Sequence, residues 1–130
     1  SHVDAAARMR PALLRWGEGT EAEALGGEKL PVDVVLAADV LYVLDNPGAW
    51  GALLRSLLSL AGPETLAFLT YTDRGQGKTF DRFLKRVDRD FIVAEVPTHL
   101  LHPHSQPGSV GRLEQHVGDT RVFCLARRAE

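Results

Sequence analysis

Apolar residues fall along this chain in two rhythms, short unbroken runs and stripes spaced by three and four. Val34 to Ala38 form the clearest run, within Asp33 to Val40, the pattern of a parallel strand covered on both faces. Asn46-Pro47 follows, a capping side chain and then proline at the first helical position. Trp50, Leu53, Leu54, Leu57, Leu58 and Ala61 continue as one helical stripe, and Gly62-Pro63 is the expected stop. Leu66 to Tyr71 predicts a second buried strand, and the polar turn Asp73 to Gly77 leads into a helix. That helix carries Phe80, Phe83, Leu84 and Val87 on one face. Phe91 to Val96 predicts a third strand, His99 to Gly111 a Pro/Gly/His loop, and Arg121 to Ala126 a final strand. Without a helix before it, the last strand is expected to run antiparallel. Upstream, residues 1 to 7 predict the end of a helix. Met9 to Leu14 predicts a short strand that Pro11 confines to an edge, and a Glu- and Gly-rich loop continues to Pro31. Strands alternating with helices in this way make an α/β layered fold.

Composition narrows the setting. With 130 residues, 45% hydrophobic and 25% charged, the chain suits one globular domain. A formal net charge of −2 offers no basic field, so nucleic acid is not expected as a partner. Its single cysteine, Cys124, can form no internal disulfide, which leans toward a reducing compartment. The apolar runs fall well short of the roughly 20 residues of a membrane helix, and no signal peptide opens the chain. The expectation is an intracellular, cytoplasmic domain without membrane attachment. The chain opens on Ser1 rather than methionine, and it is expected to be part of a longer product.

Asp39 draws the chemistry. In open α/β sheets, ligands bind outside the carboxyl ends of the strands, and the run 33–40 delivers Ala38, Asp39 and Tyr42 to such an end. A carboxylate that finishes an apolar run is costly unless it is paired or useful. With an aromatic wall beside it, it suits a cation or an amine. The plainer reading has Asp39 capping the turn after the strand and Tyr42 as ordinary packing.

The segment Leu14-Arg15-Trp16-Gly17, a variable loop, and then a buried strand ending Ala-Ala-Asp-Val-Leu-Tyr together resemble one enzyme family. It is the seven-strand S-adenosylmethionine-dependent methyltransferases of lysine methyltransferase family 16, which carry a D-x-x-Y signature. The resemblance runs from about residue 5 to the final strand. It implies a Rossmann-like sheet of family order 3-2-1-4-5-7-6, of which this chain, 1–130, would supply strands 3 to 7 as the C-terminal part of a single domain. It further implies that Trp16 lies against the cofactor adenine, that Ala38 meets the cofactor through its backbone, and that Asp39 and Tyr42 frame a target lysine on a protein substrate. The family's glycine-rich turn after strand 1 and its acidic residue after strand 2 are not in this sequence. The chain alone is therefore expected to bind cofactor poorly, with activity belonging to the longer protein. The rival reading is a non-catalytic interaction module on the same scaffold.

Two further patterns compete. Arg74-Gly75-Gln76-Gly77-Lys78-Thr79 opens a helix as a phosphate-binding loop does, but Thr72 stands where that motif needs its first glycine. A glycine-rich turn is the better reading. His99, His102 and His104 could offer imidazoles to a metal, yet no cysteine or carboxylate cluster joins them, and a solvated loop is expected.

Overall fold

The computed structural model describes residues 8–27, 29–41, 46–101 and 120–129. Its elements are a short helix α1 (Glu21–Ala24), β1 (Val32–Ala37), α2 (Pro47–Leu60), β2 (Ala61–Thr72), α3 (Gly77–Val87), β3 (Phe91–Glu95) and β4 (Thr120–Arg127), with a 3-10 turn at Thr98–Leu100. The four strands form one mixed sheet in the order β1-β2-β4-β3. β1 and β2 are parallel, while β4 lies antiparallel between β2 and β3. The architecture is α/β, compatible with a Rossmann-like fold, and the last strand is reversed as expected. No helix among the described residues is long and apolar enough to cross a membrane.

Local chemistry explains the long helix. The Asn46 side chain accepts the Ala49 N–H at 3.3 Å, and proline follows at the start of α2. Its far end lies where expected, the helix stopping at Leu60 just ahead of Gly62-Pro63, although Ala61, read as the last residue of the helical stripe, is already extended and opens β2. The close neighbour is Pro31, whose Cγ would stand 2.5 Å from a Cβ on Gly62, so only glycine fits. The register between β1 and β2 shifts between Val32 and Val34. There the buried Thr65 hydroxyl accepts the Gly62 N–H at 2.9 Å and donates to the Val32 carbonyl, which keeps a buried hydroxyl satisfied.

The core lies on one side of the sheet. Leu53, Leu54 and Leu57 from α2 meet Phe80, Phe83 and Val87 from α3 over Ala67, Leu69, Tyr71, Phe123 and Leu125. These β2 residues are alternate positions, as a two-residue strand period demands. Among the described residues the opposite face carries no such cover. In register across the sheet stand Val34, Leu66, Ala126 and Ile92, and beside them Leu36, Phe68, Cys124 and Ala94. Leu36 is 78% exposed, Ile92 54% and Val34 53%. β1 is thus apolar on both faces, as a central strand is, while it stands at the edge of the described sheet.

One predicted strand is absent. Residues 9–14 form no strand, so the described residues supply four strands rather than the five that the resemblance implies. A strand exists only through a ladder to a neighbour, and Pro11 removes one donor from any such ladder. No strand of the described sheet is paired with this segment. The predicted helix end at 1–7 falls outside the described residues.

Candidate functional site

β1 and β2 are parallel, so their carboxyl ends open side by side, and of the candidate residues Ala38 and Asp39 lie there. β1 ends at Ala37, and the exposed Ala38 leads into Asp39. Asp39 has φ +54°, the left-handed region that costs a non-glycine residue about 1 kcal/mol or more and that aspartate enters more readily than most. The conformation is held from the neighbouring strand. The Asp39 backbone N–H donates to Thr70 Oγ1 at 2.9 Å, near the end of β2. This turn aims the carboxylate outward, and Asp39 Oδ1 accepts from Arg74 Nη1 at 3.0 Å. Both partners are well exposed, at 62% for the Asp39 side chain and 46% for Arg74.

Arg74 is carried by a built turn. Asp73 Oδ1 accepts the N–H groups of Gly75 at 2.9 Å and Gln76 at 3.2 Å. It also accepts the Tyr71 hydroxyl at 3.2 Å. The two backbone donors, helped by that hydroxyl, hold the Asp73 carboxyl below its usual range. These amides are already spent on Asp73, so they cannot cradle a phosphate as a phosphate-binding loop requires. The glycine-rich turn reading of residues 74–79 stands.

A second polar group flanks the mouth at β4. Arg121 forks onto Glu95, with Nε 3.0 Å from Oε2 and Nη2 2.7 Å from Oε1. That pairing holds the Glu95 carboxyl below its usual range. The same guanidinium lies 5.0 Å from the Phe123 ring centroid and 5.9 Å from that of Phe80.

The remaining sequence candidates are distributed unevenly. Trp16 packs against the hydrophobic core, and the adjacent Gly17 sits on α2. The Gly17 N–H donates to Ser56 Oγ at 2.8 Å. Gly17 has φ +75°, and a Cβ there would meet Ala52 at 2.9 Å, so glycine permits this close approach. Trp16 is therefore anchored through α2, whereas Asp39 is anchored through β2. Tyr42, His102 and His104 lie outside the described residues. His99 is exposed within the 3-10 turn. Cys124 sits mid-strand on the uncovered face, opposite Phe68 and Ala94. No local pattern marks Thr70 and Arg74 as partners of Asp39. The only hint is a hydroxyl interrupting the apolar run of β2 and a cation just after it.

A scan of the chain against protein-family models and a search of the curated proteins return no match.

Proposed function

We propose that this chain is the substrate side of an S-adenosylmethionine-dependent protein-lysine methyltransferase, completed by polypeptide beyond these residues. One observation carries the reading. Asp39 is held in a strained conformation at the carboxyl end of a hydrophobic strand, and its exposed carboxylate already grips a cation. Strained residues concentrate where geometry serves function. The strand order β1-β2-β4-β3, with only β4 reversed, supports the assignment to positions 4-5-7-6 of the family sheet. The exposed apolar face and the position of β1 at the edge of the described sheet support a sheet that continues further.

The fit to the cofactor is one-sided. Ala38, small and exposed at the mouth of β1, leaves room for a bulky ligand beside Asp39. Trp16 faces the core against which it packs, and would need its remaining exposed edge to meet an adenine. When bound, the cofactor supplies a methyl group on a positively charged sulfur. The role of this chain is to position the acceptor. Asp39 accepts a hydrogen bond from the lysine amine and orients its lone pair, and orientation of this kind accounts for much of the rate in displacement chemistry. A free lysine has a pKa near 10.4, so the amine must also lose a proton, for which water is the acceptor.

The test is methyl transfer by the longer polypeptide that contains residues 1–130. Radiolabelled methyl incorporation into protein lysine should disappear in Asp39→Asn while the protein stays folded; undiminished turnover would remove Asp39 from this role. Calorimetric titration should show S-adenosylmethionine binding to the longer polypeptide and little to this chain. The exposed row Val34, Leu36 and Ile92 favours a second reading, a protein-interaction module without catalysis. A longer polypeptide that binds no S-adenosylmethionine would decide for it.

A further inference from the structure

We infer that Arg74 is a resident cation that occupies the amine position at Asp39 and is displaced when a substrate ammonium enters. The inference rests on the reading of Asp39 as an amine-binding carboxylate. Arg74 comes from the turn after β2, so its guanidinium reaches Asp39 across the gap between two neighbouring strand ends. That gap is where a side chain arriving at the carboxyl end of the sheet must approach. The residue is presented by design of the turn, because Asp73 pins the backbone on its far side through Gly75 and Gln76.

The pairing is built to be exchanged. It uses one guanidinium nitrogen and one carboxylate oxygen at 3.0 Å, unlike the forked contact of Arg121 with Glu95. Both partners face water, and an exposed single contact of this kind opposes a competing cation by a factor of about five at most. An incoming ammonium replaces the charge it removes. A neutral or anionic ligand brings no replacement, so the resident arginine also selects for amines. Arg74 is a specificity residue that acts through Asp39, and it takes no part in bond making.

The experiment uses the isotopically labelled chain and n-butylammonium chloride as the probe, with matched sodium chloride as the reference. Chemical shifts of the Asp39 and Thr70 amides report occupancy, and those of Tyr71 and Phe80 report that the fold persists. Weak binding to the native chain should tighten two- to five-fold in Arg74→Gln and vanish in Asp39→Asn. If binding depends on Asp39 but Arg74→Gln leaves it unchanged or weaker, the exchange is overturned while the amine site survives. If no shift depends on Asp39 in either background, the amine site falls as well.

Discussion

The Tyr71 ring lies flat against Phe80, with centroids 3.7 Å apart and planes 4° from parallel, and its hydroxyl donates to Asp73 Oδ1 at 3.2 Å. The strand that feeds the candidate site, the helix that follows it and the turn that carries Arg74 are tied through this one side chain. Burial and the adjacent Asp73 carboxylate push the Tyr71 hydroxyl up to about 12. The neutral phenol is therefore favoured in the folded state over the unfolded chain, whose tyrosines ionise near 10.

That difference fixes an alkaline signature. The contribution is complete below pH 10 and is lost as pH rises from about 10 through about 12, because the unfolded chain releases the proton first. Urea unfolding at pH 9 and pH 12 should show native stability falling by roughly 2 kcal/mol more than that of Tyr71→Phe. Equal pH dependence of the two proteins would mean the phenol is not held in this way.

At Asp39 the backbone predicts an order of stabilities. With φ at +54°, glycine fits without strain and alanine does not. Thermal unfolding should find Asp39→Gly more stable than Asp39→Ala by about 1 kcal/mol, with Asp39→Asn close to the native chain. Should alanine match glycine, the left-handed turn is not present in solution.

The uncovered sheet face predicts self-association. Leu36, Val34 and Ile92 form exposed apolar rows at the edges of the described sheet, the arrangement that invites edge pairing. Sedimentation of the chain alone should reveal oligomers, and a hydrophobic dye should bind. Leu36→Lys combined with Ile92→Lys should reduce both while circular dichroism stays unchanged; the same charge at Leu54, buried in the core, should unfold the chain.

Arg127 predicts a local effect at the end of α2. Its Nη1 donates to the carbonyls of Leu58 at 3.2 Å and Ala61 at 2.9 Å. Those oxygens lie where α2 gives way to β2, where helical carbonyls lack backbone partners. Arg127→Met should cost about 1 to 2 kcal/mol. Hydrogen exchange should quicken in the last turn of α2 before it does in α3, and uniform acceleration would argue against a local tie.

The helices and strands of residues 32–127 were legible because each obeys a rule its own neighbours enforce. Asn46-Pro47 starts α2, and Phe80, Phe83 and Val87 recur at helical spacing. The turn at Asp73 likewise needs only residues 71 to 76. Met9 to Leu14 failed as a strand because a ladder needs a partner that no local pattern can supply. Gly62-Pro63 reads as the helix stop that it is, while its close approach to Pro31 inside β2 leaves no local mark.

By itself the sequence determined the alternation of strand and helix and the arrival of Asp39 at the end of an apolar run, since both follow from periodicity along one segment. Tertiary structure alone decided that Arg74 and Thr70 meet Asp39, that α2 and α3 share one face, and that Leu36 and Ile92 lie on the other. Thr70 and Arg74 stand 31 and 35 positions from Asp39, and distance along the chain carries no record of which strands become neighbours.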